Sequence, residues 1–130
     1  MKFADTFYFL ALLNRNDTAH AAAMAVNAEP GPFLTTEWVL TELADAMASR
    51  MKREGFVELY ELLRSAPDME IVPSSANLFA RGIELYAARP DKDWSLTDCI
   101  SFGVMKDRGI TDALTGDHHF EQAGFGALLK

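Results

Sequence analysis

Short strand-like apolar stretches alternate along the chain with longer stretches that have the period of a helix. The strand-like stretches are residues 2–4, 33–35, 70–73, 112–116 and 125–130. The predicted helices are 6–14, 17–28, 36–54, 56–66, 76–89 and one that starts at 95, with a loop at 90–93 and a turn at 117–124. The alternation predicts a three-layer α/β/α fold with a central, mainly parallel sheet of about five short strands.

The size and composition favour a single domain over residues 1–130. The chain has 130 residues, of which 49% are hydrophobic and 24% charged, and it contains no repeats or long linkers. No apolar stretch reaches the roughly 20 residues that a membrane span needs, and Asp5 interrupts the N-terminal stretch that could suggest a signal peptide. The single cysteine, Cys99, excludes an intramolecular disulfide and fits a core position in a cytoplasmic protein.

The net charge of −7 argues against a protein that holds nucleic acid through an extended basic surface. A DNA-binding module is therefore disfavoured. A nuclease that touches only a few phosphates stays compatible with this charge, since an acidic cluster can be partly neutralised by bound cations.

Four acidic residues fall near the edge of the predicted sheet at which α/β proteins bind ligands, which is the edge beyond the carboxyl ends of the strands. Asp5 ends the first strand, Asp117 follows the strand "ALTG" directly, and Asp98 lies in the first turn of a helix. Glu42 lies at the flank of the apolar face of its helix, about 60° from Val39. From that flank its carboxylate can reach the same edge.

Each of these acids also has a purely structural interpretation. Asp5 and Asp117 would cap the segments that follow them, Asp98 would complete a capping box with Ser95, and Glu42 would be a solvated helix residue. A ring of four carboxylates is nevertheless costly through like-charge repulsion unless a cation lies among them. Oxygen ligands without a set of cysteines or histidines suit Mg²⁺ or Mn²⁺. On these residues alone, Asp98 stays open between a cap and a cap that also binds a metal.

Three segments carry a family resemblance: "FADTFYFLALLNRND", "TTEWVLTEL" and "DWSLTDCISFGVMKDRGITDALTGDHHFEQAGF". In order and content they resemble PIN domains, and among these the VapC-type toxin ribonucleases of toxin–antitoxin pairs. The resemblance covers essentially the whole chain. Thr6 and Thr115 match positions at which a hydroxyl is usual. The metal-binding and catalytic acids that the resemblance implies are Asp5, Glu42, Asp98 and Asp117.

The resemblance implies a toxin that is a Mg²⁺- or Mn²⁺-dependent endoribonuclease and leaves a 5′-phosphate and a 3′-hydroxyl. The expected partners are an RNA substrate, a cognate antitoxin and a second copy of the chain in a homodimer. We expect the antitoxin tail to place apolar residues beside the N-terminal helix and the Met47 and Met51 region, with an Arg or Lys near the acids.

Two alternatives belong to other classes of protein. One is a non-catalytic PIN-like domain that binds a partner protein. The other is a response-regulator receiver domain, which fits poorly because a receiver needs adjacent acids after its first strand and Asp5 stands alone.

For several other residues, a structural role is favoured over a functional one. Asp93 is expected to be a solvated or capping loop residue and Asp112 to begin a strand. His118 and His119 cannot both point into one site, and we keep His118 as a candidate for phosphate contact. Three cations end the long predicted helix, where they suit its dipole, and both tryptophans are expected to be partly exposed. These cations and tryptophans are Arg50, Lys52, Arg53, Trp38 and Trp94.

Overall fold

A five-stranded sheet forms the centre of the structure, a computed structural model that describes residues 1–130. All neighbouring strands pair in parallel, in the order β3-β2-β1-β4-β5. The strands are β1 (Lys2–Ala4), β2 (Phe33–Thr36), β3 (Met69–Val72), β4 (Asp112–Leu114) and β5 (Gly126–Ala127). The predicted α/β fold with a parallel sheet of short strands is confirmed.

Seven helices connect and cover the strands. They are α1 (Thr6–Leu13), α2 (His20–Asn27), α3 (Glu37–Ala46), α4 (Arg53–Ser65), α5 (Ala76–Ala88), α6 (Leu96–Arg108) and α7 (His118–Gln122). The segment predicted as a turn at 117–124 contains the one-turn helix α7. No helix is both long and apolar enough to cross a membrane.

The long helix predicted over residues 36–54 was wrong, because the chain turns between α3 and α4. Helix α3 ends at Ala46, and α4 begins at Arg53, so that Gly55 lies inside a helix instead of after one. The turn lets α3 pack on α1 and α6 while α4 packs on α3 and β3. A single straight helix could not bury both apolar faces. Gly55 sits close to Met47, since a Cβ there would lie 3.6 Å from the Met47 Cε.

Aromatic side chains from the loop before α6, from α6 and from α7 pack against one another in the core. Phe102 makes edge-to-face contacts with Trp94 and Phe120, with ring centroids 5.1 and 5.0 Å apart. Trp94 is only 6% exposed, so its predicted partial exposure was wrong. Its indole N–H donates to the Gln122 side chain at 3.0 Å, which satisfies the polar end of a buried ring. Cys99 is buried, as predicted.

Candidate metal centre

Asp5 lies at the carboxyl end of the central strand β1 and is only 5% exposed. Its side chain makes no capping hydrogen bond to α1, although its backbone occupies the N-cap position. The Thr115 hydroxyl donates to Asp5 Oδ2 instead, at 2.8 Å. Burial raises the pKa of Asp5 to about 7, and the charges of Asp98 and Glu42 add to the rise, while the Thr115 hydrogen bond opposes it.

Glu42 reaches toward the same edge of the sheet from the second turn of α3. The Thr6 hydroxyl donates a hydrogen bond to Glu42 Oε1, which joins α1 to α3 beside Asp5. The Glu42 charge is close enough to raise the pKa of Asp5. Glu42 is therefore a flank residue that faces the acid cluster.

Asp98 forms the capping box that the sequence predicts, and its carboxylate also lies near Asp5. It forms a capping box, since its amide donates to Ser95 Oγ at 3.0 Å and its Oδ2 accepts from the Ser95 amide at 3.2 Å. The carboxylate is also 8% exposed and close enough to Asp5 to raise its pKa. Burial raises the pKa of Asp98 itself, opposed by the Ser95 and His119 hydrogen bonds.

Asp117 is joined to Asp5 through one hydroxyl group. The Asp117 amide donates to Thr115 Oγ1 at 3.0 Å, and the same hydroxyl donates to Asp5. The Asp117 carboxylate caps α7 by accepting from the His119 amide at 2.9 Å. Its charge also raises the pKa of Asp98. Thr115, which is fully buried, thus fixes the relative position of two of the predicted acids.

The histidine that faces the acids is His119, which sequence reasoning did not select. Its Nδ1 lies 3.1 Å from Asp98 Oδ2 and 3.4 Å from Asp117 Oδ1. The side chain of His119 is 20% exposed, whereas that of His118 is 62% exposed. A helix predicted at 118–122 would have shown that adjacent side chains point in different directions, but the segment was predicted as a turn. Adjacent histidines carry no other sequence signal that tells them apart.

The four predicted acids form an electrostatically coupled cluster at one edge of the sheet. None of the ion pairs of lysine or arginine reaches any of them. The negative charge around Asp5 is therefore not compensated by a basic side chain, and the oxygen-only donors of Asp5 and Glu42 fit a hard divalent cation. A second group of metal-ligating atoms shares only Asp117 with the four acids: the ligand atoms of Asp117, His118 and His119 lie within 4.8 Å of one another.

Two further acids lie apart from this cluster. Asp93 is exposed and lines a groove of about 930 Å³ between α5 and the start of α6. Asp112 begins β4, as predicted, and its Oδ1 lies beside Gly126 of β5, where a Cβ would come within 2.6 Å of it.

Comparison with known proteins agrees with the fold. The model of the PIN domain family matches residues 2–126. The 23S rRNA-specific endonuclease VapC20 of Mycobacterium tuberculosis, from strains CDC 1551 and H37Rv, is 29% identical over 126 residues, which are 96% of this chain and 95% of the relative.

Two solved structures have the same fold. One is the crystal structure of VapC20 of Mycobacterium tuberculosis, a toxin that cleaves the sarcin–ricin loop. It aligns with this chain with a TM-score of 0.86 and 26% identity over 96% of each chain. FitAcB from Neisseria gonorrhoeae aligns with a TM-score of 0.65 and 19% identity, over 98% of this chain and 95% of that one. The family model covers nearly the whole sequence, and the chain belongs to the PIN domain family.

Proposed function

We propose that this protein is a Mg²⁺- or Mn²⁺-dependent endoribonuclease and the toxin of a toxin–antitoxin pair. Asp5, Glu42, Asp98 and Asp117 are its proposed metal ligands and catalytic residues. The observation that supports this most directly is the buried carboxylate of Asp5, whose pKa the charges of Asp98 and Glu42 help to raise. Carboxylates held together without a basic partner are strongly stabilised by a divalent cation.

The residues around the acids hold them in place for phosphodiester hydrolysis. Thr115 orients Asp5 and Asp117, Thr6 orients Glu42, and the capping box fixes Asp98. A divalent cation bound by these carboxylates would activate water and neutralise charge at the scissile phosphate. The products expected from the family resemblance are a 5′-phosphate and a 3′-hydroxyl.

The relatives supply the first substrate to test. VapC20 carries the name of a 23S rRNA-specific endonuclease and aligns with this chain over nearly its whole length. We propose structured RNA as the substrate class and 23S rRNA as the first candidate. A cytoplasmic location follows from that substrate, and the single shared sheet supports one domain over residues 1–130.

The test is cleavage of 23S rRNA by purified protein with Mg²⁺, with Mn²⁺ and with EDTA. We expect cleavage with either cation and none with EDTA, and mapped ends should carry 5′-phosphates. If no RNA is cleaved while a partner protein binds tightly, the alternative of a non-catalytic PIN-like interaction domain replaces this proposal. The homodimer is tested separately by light scattering, where a mass of one chain would exclude it.

A groove beside the acids supports the proposed antitoxin site. It measures about 430 Å³ and lies between α1 and the end of α3. Leu10 and Ala46 line it, each one helical turn beyond the hydrogen-bonded pair Thr6 and Glu42. An apolar segment in this groove would continue directly to the acids. Met47 also lines the groove, whereas Met51 is 95% exposed and does not.

We propose that an arginine or lysine at the end of that segment pairs with the carboxylates. An arginine can bind a carboxylate through two parallel hydrogen bonds and would compete with the metal. The adjacent gene product should co-purify with the chain and inhibit cleavage on titration. If inhibition survives replacement of every Arg and Lys in the antitoxin tail, occlusion comes from packing alone and the ion pairs are not needed.

A further inference from the structure

We propose that Asp117, His118 and His119 form a second metal site, selective for a borderline ion such as Zn²⁺. The site is distinct from the oxygen-only half of the acid cluster because it contains two imidazole nitrogens. Imidazole ligands favour Zn²⁺ over Mg²⁺, and carboxylate oxygens favour Mg²⁺ or Mn²⁺. The inference therefore concerns a ligand other than the ion that the nuclease function needs.

The first support is distance. The Asp117 Oδ1 atom lies 3.7 Å from His118 Nδ1 and 3.4 Å from His119 Nδ1. Two ligand atoms at about 2.1 Å from a tetrahedral ion are about 3.4 Å apart. The ligand atoms of all three residues also lie within 4.8 Å of one another. Small side-chain rotations would bring them onto one ion.

The second support is the way the three side chains are held. Asp117 caps α7, and its amide donates to Thr115, which together place its carboxylate beside both histidines. The His118 and His119 rings are neighbours, with centroids 4.5 Å apart and planes inclined by 56°. Both can reach one ion beside Asp117, contrary to the expectation from the sequence that adjacent histidines cannot serve one site. His118 is 62% exposed, so an ion can enter from solvent and keep a water as its fourth ligand.

The site shares Asp117 with the proposed catalytic set, and this gives it a consequence for activity. An ion on His119 Nδ1 would replace the contact of that atom with Asp98 Oδ2, now 3.1 Å. It would also take the Asp117 carboxylate away from Mg²⁺. Zn²⁺ binding should therefore suppress Mg²⁺-supported cleavage, a consequence that rests on the proposed function, whereas the binding itself does not.

Calorimetry on the untagged, chelator-treated full chain tests the site without RNA. We expect one Zn²⁺ per chain, bound at least about 100-fold more tightly than Mg²⁺. His118→Asn should weaken Zn²⁺ binding at least tenfold and leave Mn²⁺ affinity within twofold, while Asp5→Asn should do the reverse. His20→Asn is the matched control, since His20 is the remaining histidine and bonds to the Ala11 carbonyl at 2.7 Å instead.

Co²⁺ provides a spectroscopic readout of the same site. A tetrahedral ion bound by nitrogen and oxygen ligands gives strong visible absorption, which His118→Asn should abolish and His20→Asn should preserve. Equal Zn²⁺ affinity in wild type and His118→Asn, or the weak absorption of a six-coordinate ion, would overturn the proposal. Absence of RNA cleavage under every metal condition would contradict the proposed function only, because the binding data decide the Zn²⁺ site.

Discussion

The two halves of the acid cluster differ in the groups that surround their carboxylates. On the β1 and α3 side, Asp5 and Glu42 accept hydrogen bonds from threonine hydroxyls. On the α6 and α7 side, Asp98 and Asp117 both lie within 3.4 Å of an imidazole nitrogen of His119. One half thus offers only oxygen donors, and the other offers oxygen and nitrogen.

The two halves therefore differ in how the repulsion between their carboxylates is relieved. Hydroxyl groups orient Asp5 and Glu42 but bring no charge, so the repulsion around Asp5 is relieved only by a proton or a cation. The hydrogen bond from His119 opposes the rise that burial causes in the pKa of Asp98, which relieves part of the repulsion on its side. The oxygen-only half should therefore respond most strongly to Mg²⁺ or Mn²⁺.

The largest expected effect comes from Asp98→Asn, which should reduce RNA cleavage by at least about 100-fold without unfolding the protein. Asparagine still caps helices, so the Ser95 contact can persist while the charge is lost. Asp107→Asn is the matched control, because Asp107 lies on the same helix but pairs with Arg81 on the surface. Cleavage by Asp98→Asn at the wild-type rate in Mg²⁺ would make Asp98 a cap and nothing more.

Asp5→Asn should stabilise the metal-free protein at pH 8 by on the order of 2–4 kcal/mol, since it removes a buried charge whose pKa is raised to about 7. The same change should remove most of the stabilisation that Mn²⁺ gives the wild type. Thermal unfolding in EDTA and in millimolar Mn²⁺ measures both. A melting temperature of the wild type that is identical in the two solutions would argue strongly against a shared site.

The pH dependence of the metal-free wild type follows from the same carboxyl group. Folded Asp5 keeps its proton to about pH 7, whereas the unfolded side chain loses it near its ordinary pKa of 3.8. The folded state thus binds more protons between these values, and its stability should fall as the pH rises from about 4 to 7 and then level off. Urea unfolding across this range measures it, and Asp5→Asn should flatten the slope. A rise in stability over the same interval would contradict the burial of an unpaired carboxyl.

The smallest effects should come from the hydroxyl groups, and they should differ between the two threonines. Thr115→Val leaves Asp5 and the Asp117 amide without a partner in a fully buried place and should cost about 1–3 kcal/mol. Thr6→Val should cost under about 1 kcal/mol, because Glu42 is half-buried and water can replace the hydroxyl. Denaturant unfolding of the two variants in EDTA compares their stabilities. Equal losses of stability would show that the greater exposure of Glu42, compared with Asp5, does not reduce the cost.

The sequence by itself determined the fold class and the edge at which the acids gather. Apolar strands that alternate with helices can be buried only in a parallel sheet covered on both faces. Asp5 follows β1 directly and Asp117 lies three residues after the end of β4, so local order was enough to bring them to that edge. The capping box of Ser95 and Asp98 was equally local, since three residues in one turn define it.

Tertiary structure decided what depended on contacts between distant segments. The break between α3 and α4 was invisible in the pattern, because residues 36–54 read as one amphipathic run until packing on α6 and β3 divides it. Trp94 is buried by Phe102 and Gln122, which lie 8 and 28 positions away. His119, not His118, faces Asp98 because the one turn of α7 fixes the directions of two adjacent side chains. Sequence periodicity reflects interactions between neighbouring residues, whereas the break between α3 and α4 and the burial of Trp94 depend on packing against remote segments. The contact of His119 with Asp98 depends in addition on the packing of α7 against α6.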